Sequence, residues 1–263
     1  MEAFDTFPNT SKQQIEYVLT DIDDTLTLDG KLPAIAYNAM ELLQHAGIKV
    51  IPITGRPAGW CDHIARMWPV EGLVGENGAF YFYYDKENRK MVRRYWRSDK
   101  QRTEDRRQLL ALEEQILREV PGCRVSVDQP YREADLAIDF CEDVEPLAMT
   151  EVKQIVSIFE SAGAVAKISS IHVNGWFGDY DKLSMTKRLF EELFQINLDS
   201  RKENIIFSGD SPNDAPMFAF FPNGVGVANI LQFVDELQYK PTWVTQKKGG
   251  YGFAEMVDIL LDI

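Results

Sequence analysis

Short β-prone runs alternate with helix-like patterns over the first quarter of this sequence. Residues 17–20 and 48–53 are apolar runs, and they stop at the polar residues Asp21 and Thr54. Apolar residues recur at helical spacing between the two runs and again after Thr54. Residues 72–74 indicate a third short strand. This succession favours a parallel sheet that is covered by helices.

The alternation breaks after residue 78 and resumes near residue 182. The intervening segment contains a β-hairpin pattern, two helical patterns and four further strand-like stretches, which together are typical of an α+β module. We therefore predict an α/β fold, with a Rossmann-like parallel-sheet core and an inserted α+β cap. The core is predicted to comprise residues 1–84 and 181–263, and the cap residues 85–180.

The size and composition are those of a globular protein. The chain has 263 residues, 45% of them hydrophobic, which is enough for one large domain or two smaller ones. No apolar run approaches the ~20 residues of a membrane span, and no signal-peptide pattern is visible. We predict a soluble cytoplasmic protein without membrane partners, with residues 1–14 as a loose tail. The three cysteines share no metal-ligand spacing, which favours reduced, mostly buried thiols.

The charge of the chain argues against one class of partner. The net charge is −13, and a protein this acidic is not expected to bind nucleic acid. Residues 86–107 depart from this balance, with ten lysines or arginines against four acidic residues. The ordinary interpretation is a solvated strand and helix face. The alternative is a local basic surface that attracts a second anionic group of a substrate, such as a carboxylate.

Polar residues follow three of the predicted core strands. These residues are Asp21, Thr54 and Asp210. The carboxyl ends of parallel strands line the crevice where ligands bind, so these side chains are expected to meet there. Asp21, Asp23 and Asp210 around one point would suit a hard divalent cation, and oxygen-only ligation favours Mg²⁺. Asp23 can instead direct its side chain towards a substrate.

Three further features match the needs of a phosphoryl group. Thr54 offers a hydroxyl donor, and Gly55 offers an unobstructed backbone N–H. Lys182, which opens the helix after the inserted module, supplies a positive charge. Taken singly, Thr54 and Gly55 could also belong to a tight turn, and Lys182 could be an ordinary solvated lysine. Their ordered placement around one crevice favours phosphoryl-group chemistry.

These residues, in this order, resemble the four motifs of the haloacid dehalogenase superfamily of phosphatases. D-x-D-x-T after a strand matches residues 21–25, a strand-terminal Thr matches Thr54, a Lys that opens a helix matches Lys182, and G-D-x-x-x-D matches residues 209–214. The stretches 54–57, 76–79 and 209–214 are similar to the type IIB branch, whose cap lies between the second and third motifs. That branch includes Cof-like sugar phosphatases, sucrose-phosphate and mannosyl-phosphoglycerate phosphatases, and phosphomannomutases.

The resemblance implies a role for each matched residue. Asp21 would be the nucleophile, and Asp23 the general acid and later the general base. Thr54 and Lys182 would hold the phosphate. The predicted metal-binding residues are Asp21, Asp23 through its carbonyl, Asp210 and Asp214. The predicted substrate-binding residues are Gly55, Arg56, Asn213, His172 and Asn174, although His172 could equally be a structural histidine.

Two positions depart from the family pattern. Asp24 stands where many relatives have Gly, and because Asp tolerates unusual backbone geometry, the turn is expected to survive. The residues before Lys182 are unusually acidic, and Lys187 is a weaker rival for the phosphate-binding lysine.

The combined expectation is a Mg²⁺-dependent phosphomonoester hydrolase. It would act on a small, sugar-like phosphorylated metabolite through an aspartyl-phosphate. Two alternatives stay open: a phosphomutase of the same branch, and a sugar-phosphate-binding regulatory protein with residual phosphatase activity. The sequence leaves the oligomeric state open.

Overall fold

The computed structural model describes residues 1–169 and 171–263, and its strands form three sheets. The strands are β1 (Glu2–Ala3), β2 (Tyr17–Thr20), β3 (Lys49–Pro52), β4 (Leu73–Gly75), β5 (Phe80–Asp85), β6 (Lys90–Tyr95), β7 (Arg124–Val125), β8 (Asp135–Asp139), β9 (Val165–Ile168), β10 (His172–Trp176), β11 (Ile205–Gly209), β12 (Asn223–Gly226) and β13 (Trp243–Val244). The helices are α1 (Asn9–Lys12), α2 (Ala34–His45), α3 (Ala58–Met67), α4 (Asp99–Glu119), α5 (Met149–Ser161), α6 (Lys182–Leu189), α7 (Ala215–Phe220) and α8 (Gly249–Leu261). No described helix is both long and apolar enough to cross a membrane.

The largest sheet confirms the predicted parallel core. Its strand order is β1-β13-β12-β11-β2-β3, and every pairing is parallel. One face packs against α2 and α8, which contact each other, and the other face packs against α6 and α7. Because β2 and β11 are neighbours in the middle of the sheet, the residues that follow them, Asp21 and Asp210, meet at its carboxyl edge.

An antiparallel sheet forms the centre of the inserted unit. Its order is β7-β8-β10-β9, and α4 and α5 pack against it. Leu112 and Ile116 of α4, together with Ile155 and Phe159 of α5, are buried in a hydrophobic cluster of their own. This separate cluster fits the predicted α+β character of the insertion.

The third sheet joins the two units and modifies one prediction. Residues 72–74 were expected to form a strand of the parallel core, but β4 pairs antiparallel with β5, and among the described residues the bridge Ile53–Val74 links it to β3. Strand β6 pairs along the full length of β5, and Phe80 and Phe82 of this hairpin pack in the core cluster that also contains Cys61. The domain boundaries stay a prediction, and this packing indicates that β6 belongs with the core.

The prediction of a loose N-terminal tail was wrong. Strand β1 adds to the edge of the large sheet by parallel pairing with β13. Phe4 and Phe7 stack with ring centroids 4.9 Å apart, and both contact Trp243 edge-on. Both phenylalanines are buried, so their apolar area holds the segment against the sheet.

Candidate active site

Three buried carboxylates meet at the carboxyl edge of the large sheet. Asp21 follows β2, Asp210 follows β11, and Asp214 lies in the short 3-10 turn before α7. One oxygen from each carboxylate lies within 4.8 Å of the other two. These are three of the four predicted metal-binding residues. The side chain of the fourth, Asp23, points elsewhere, and its backbone carbonyl was the predicted ligand.

Lys182 lies between two of these carboxylates. Its Nζ donates hydrogen bonds to Asp21 Oδ1 at 2.8 Å and to Asp214 Oδ1 at 2.9 Å. Burial acts to lower the pKa of Lys182, but the two carboxylates outweigh burial and raise that pKa above its usual value. The rival lysine, Lys187, pairs with Asp199 at the surface. The structure therefore brings Lys182, and not Lys187, to the predicted phosphate site.

Helix α6 begins so that Lys182 faces the site. The Asp181 carboxylate accepts the backbone N–H of Ser184 at 2.7 Å, which fixes the first turn. Gly78, with φ +110°, packs under this turn, and a Cβ there would lie 2.1 Å from the Asp181 carbonyl oxygen. Only glycine fits such an approach at positive φ. Gly78, in the turn between β4 and β5, thus positions the lysine of a distant motif.

Lys182 alone cannot keep all three carboxylates of the cluster ionised. Burial, together with Asp214 and Asp21, raises the pKa of Asp210 to about 9. Burial likewise raises the pKa of Asp21 to about 7. Three carboxylates with one lysine leave a deficit that a divalent cation would fill, and carboxylate oxygens are the donors that Mg²⁺ prefers. The donor set therefore fits Mg²⁺.

The carboxylate oxygens of the cluster differ in the hydrogen bonds that they already accept. Asp214 Oδ1 accepts from Lys182, and Asp214 Oδ2 accepts the backbone N–H of Asp210 at 3.2 Å. Asp21 Oδ2 accepts no hydrogen bond from the residues described, and the bonds to Asp210 are long, at 3.3 Å from Thr25 and Asn229. Asp21 and Asp210 are thus better placed to bind a cation directly, and Asp214 to orient Lys182.

Asn229 is a supporting residue that the sequence did not reveal. Its Nδ2 donates to the Asp24 carbonyl at 2.7 Å and to Asp210 at 3.3 Å, while its Oδ1 accepts from the Gly249 N–H at 3.0 Å. It lies just past β12, at the same sheet edge as the motif residues. Its position after a core strand could have pointed to Asn229 from the sequence, but Asn229 belongs to none of the four motifs.

The loop after β2 keeps its shape with Asp24 in place of glycine. Asp24 has φ +54°, in the left-handed region, and its N–H donates to Thr27 Oγ1 at 2.9 Å. Asp is one of the few residues with a side chain that adopts this conformation readily. The turn therefore forms with Asp24 in this position, as expected.

Arg56 pairs with Asp23 on one side of the cavity. Its Nε donates to the two carboxylate oxygens of Asp23 at 2.8 and 2.9 Å, and its Nη2 donates at 2.6 Å. The guanidinium carbon lies 4.6 Å from the centre of the Trp60 ring. Between them, the carboxylate and the aromatic face fix the plane of the guanidinium group.

Thr54 ends the strand beside Asp21. Its side chain is fully buried, and its Oγ1 accepts the backbone N–H of Arg56 at 3.0 Å. The hydroxyl proton stays available as a donor, because the Arg56 N–H occupies only an acceptor position. A phosphate-binding role for Thr54 stays a prediction.

Glu76 joins the cap to the core through its buried carboxylate. It accepts the N–H of Ala58, at the start of α3, at 2.9 Å. It also accepts the N–H groups of Glu133, Ala134 and Asp135 in the inserted unit, at 2.6 to 3.3 Å. The sequence marked residues 76–79 only as a family feature, and gave no indication of this contact.

Replacing Glu76 by alanine is expected to destabilise the protein by about 1–3 kcal/mol, because buried N–H donors would lose their acceptor. The amide protons of residues 133–135 should then exchange faster with solvent. Hydrogen exchange and denaturant unfolding measure both effects. The control is Glu87→Ala in the exposed hairpin turn. Unchanged protection of residues 133–135 would show that Glu76 does not hold the cap.

The inserted unit contributes one wall of the candidate catalytic cavity. This cavity has a volume of about 350 Å³ and is lined by Asp21, Asp23, Arg56 and Asn213 from the core and by Arg132, His172 and Asn174 from the insertion, among others. A larger cavity, of about 490 Å³, lies between α4 and residues 125–136, away from the motif residues. The smaller cavity is the candidate site, because it holds the nucleophile and general-acid candidates.

The predicted cap residues lie in this wall. Asn174 donates to Asp135 at 3.0 Å. His172 Nε2 lies 2.8 Å from a Glu142 carboxylate oxygen. Burial lowers the pKa of His172, and Arg132 lowers it further, so the neutral imidazole is favoured.

Arg132 is a cap residue that the sequence analysis missed. Its guanidinium pairs with Asp128 at 2.7 Å and with Asp135 at 3.0 Å, and its Nη1 donates to the Gly55 carbonyl at 3.1 Å. It thereby connects the cap to the second motif. Nothing in the surrounding sequence distinguishes this arginine from a surface one.

Four of the ten basic side chains in segment 86–107 pair with acidic neighbours. The ion pairs are Arg93–Asp62, Arg97–Asp105, Arg102–Glu133 and Arg107–Glu104. These local pairs support the ordinary interpretation, a solvated face, over a surface that attracts an anionic ligand.

Comparison with known proteins agrees with this geometry. Residues 18–106 match the model of a family described as haloacid dehalogenase-like hydrolase. Phosphoglycolate phosphatase 1 of Saccharolobus solfataricus is 28% identical over 251 residues, which are 94% of this chain and 96% of that protein.

Solved structures share the fold. Thermoplasma acidophilum 0175 aligns with a TM-score of 0.73 at 18% identity, over 95% of this chain and 99% of that one. The sucrose-phosphatase of Synechocystis aligns with a TM-score of 0.64 at 15% identity, over 94% of this chain and 98% of that one. Together with the four ordered motifs and their convergence, these matches support a phosphatase that is similar to the haloacid dehalogenase-like hydrolases and shares the fold of the solved structures.

Proposed function

We propose that this chain is a Mg²⁺-dependent phosphomonoester hydrolase that works through an aspartyl-phosphate on Asp21. The observation that carries the proposal is the arrangement of Asp21, with a free Oδ2, beside Lys182 and Asp210 at the base of a cavity that also contains Asp23. A nucleophile, a proton donor, a fixed cation and a metal-binding carboxylate are the parts that phosphoryl transfer requires.

The mechanism assigns one task to each side chain. Asp21 attacks phosphorus while the ester oxygen leaves in line, and Asp23 gives that oxygen a proton. Thr54, the Gly55 N–H and Lys182 donate to the phosphoryl oxygens. Asp23 then takes a proton from the water that attacks the aspartyl-phosphate, which releases phosphate and restores Asp21.

A bound Mg²⁺ would be held by Asp21, Asp210 and the Asp23 carbonyl. It would neutralise charge on the phosphoryl oxygens and allow the carboxylates to stay ionised together. Asp214 and Asn213 would support this shell from outside. The fit rests on the deficit of positive charge in the buried cluster.

The substrate is proposed to be small. The cavity volume of about 350 Å³ lies near the lower end of the range for ligand pockets. A sugar-like phosphate remains a candidate, with His172 and Asn174 contacting its hydroxyl groups. The name of the relative that is 28% identical, a phosphoglycolate phosphatase, favours a substrate that carries a carboxylate. The sucrose-phosphatase likeness, at 15% identity, bears on the fold alone.

The proposal is tested by a screen of a few dozen phosphorylated metabolites with Mg²⁺, in which released phosphate is measured. Free phosphate as the main product supports a hydrolase. A phosphomutase would instead conserve the phosphate and need a bisphosphorylated activator. Tight, saturable binding with negligible turnover across the screen would favour a regulatory binding protein and contradict the proposal.

Mg²⁺ is expected to stabilise the protein more at pH 9 than at pH 6. Without a cation, the pKa values of Asp21 and Asp210 are raised to about 7 and about 9, so protons compete with the metal at the lower pH. At pH 9 and a Mg²⁺ concentration about 100-fold above its Kd, Tm should rise by about 5 °C or more. Thermal scans with Mg²⁺ and with EDTA measure this shift. An equal or larger shift at pH 6 would contradict it.

A further inference from the structure

One edge of the Arg56 guanidinium faces the catalytic cavity without a partner. Nε and Nη2 are occupied by Asp23, whereas Nη1 donates to no residue among those described. Arg56 lines the cavity, and Trp60 covers one face of its guanidinium group. The group is therefore held in a fixed plane with donors left over, which is the geometry that binds a planar anion in two-point contact.

Arg56 differs in this respect from the other arginine of the cavity. Arg132 is enclosed by Asp128 and Asp135, and its Nη1 already donates to the Gly55 carbonyl. His172 favours its neutral form. Of the described residues that line the cavity, Arg56 is thus the cation best able to receive a further anionic group.

The acidity of the cavity makes such a partner necessary for a substrate with two anionic groups. Asp21, Asp23, Asp24, Asp210 and Glu236 all line it. An unpaired carboxylate would be repelled by this lining, so its binding requires a specific cation close by. The basic segment 86–107 cannot supply that cation, since none of its residues lines this cavity.

We propose that the free edge of Arg56 binds a carboxylate next to the ester carbon of the substrate, which makes the chain selective for phosphate esters of short hydroxy acids. This inference rests on the proposed phosphatase function. Asp23 must reach the ester oxygen to protonate it, and Arg56 contacts Asp23 directly. A carboxylate one carbon away from that oxygen therefore lies within reach of the same guanidinium.

The test compares two esters of equal length in native protein and in Arg56→Gln and Arg56→Lys. One is the phosphate ester of glycolic acid, and the other is the monophosphate of ethylene glycol, which has a hydroxymethyl group in place of the carboxylate. We expect the native protein to prefer the carboxylated ester. In Arg56→Gln the ratio of the two kcat/KM values should fall about 10- to 100-fold, chiefly through KM. Arg56→Lys should retain part of the preference, since it keeps the charge but not the planar edge.

The outcomes separate this inference from the function on which it rests. Arg56 also holds Asp23, so both esters should lose some activity, and equal losses would mean that Arg56 only positions Asp23. The same conclusion would follow if native protein showed no preference, or hydrolysed other esters but neither of these two. Failure to release phosphate from any ester would overturn the proposed function as well. Arg66→Lys, an exposed arginine of α3, controls for general effects, and thermal scans confirm that each variant is folded.

Discussion

Asp21→Asn is expected to reduce phosphate release by on the order of 10⁴-fold or more. Asparagine has nearly the same shape and can still accept the Lys182 hydrogen bond, but its amide is a poor nucleophile towards phosphorus. The loss should appear in kcat, because the other groups that contact the phosphate are unchanged. Phosphate release from an aryl phosphate with Mg²⁺, followed for native protein and variant, measures it.

The same variant should fold at least as well as the native protein when no metal is present. Burial and like-charged neighbours raise the pKa of Asp21 to about 7, so its ionised form is disfavoured in the folded state, and a neutral amide removes that cost. A Tm in EDTA equal to or above the native value would show that lost activity is not lost structure. Asp199→Asn, at an exposed ion pair, is the matched control. Equal rates for native protein and Asp21→Asn would exclude the aspartyl-phosphate mechanism.

The meeting of the core motif residues could be predicted because strand topology brings them together. Asp21, Thr54 and Asp210 each follow a strand, and parallel strands place their carboxyl ends at one edge. Lys182 could be placed by its position at the start of a helix. The sequence therefore contained enough information to predict that the candidate nucleophile, the candidate metal-binding carboxylates and Lys182 meet.

The contacts between cap and core could not be predicted in the same way. Arg132 and Glu76 join the two units through backbone and side-chain atoms that are distant in sequence. The Arg56–Asp23 pair joins two different motifs across the cavity. Such contacts depend on how the two units dock, and docking cannot be inferred from the periodicity or spacing of residues within one segment.

For other segments, the sequence pattern predicted the local structure correctly but not how that structure packs in the fold. The strand expected at residues 72–74 forms at residues 73–75, yet β4 pairs antiparallel with β5, since the hairpin that follows covers its edge. Trp60 of α3 is one of the apolar residues at helical spacing after Thr54, but it is 43% exposed, because it packs on Arg56 instead of in the core. At the N-terminus, Phe4 and Phe7 gave a signal of burial that the polar residues around them obscured.

Lys182→Met is expected to destabilise the protein by roughly 3–5 kcal/mol in the absence of Mg²⁺ and to abolish most of its activity. Methionine is of similar length, so the change removes a buried charge without leaving a large cavity. Asp21 and Asp214 would then lose the cation that binds both, and the phosphoryl group would lose a donor. Denaturant unfolding with EDTA and phosphate release with Mg²⁺ measure the two effects.

The destabilisation by Lys182→Met should depend on pH and on metal in a defined direction. Without the lysine, the pKa values of the neighbouring carboxylates rise further, so the folded state takes up protons and regains stability as the pH falls. The deficit should therefore be larger at pH 9 than at pH 6, and Mg²⁺ should recover part of it by supplying positive charge to the same oxygens. Lys187→Met, on the same helix but paired with Asp199 at the surface, should cost less than about 1 kcal/mol at either pH. If both lysine variants were equally stable and equally active, Lys182 would have no more than a surface role, and the site would have to obtain its fixed positive charge elsewhere.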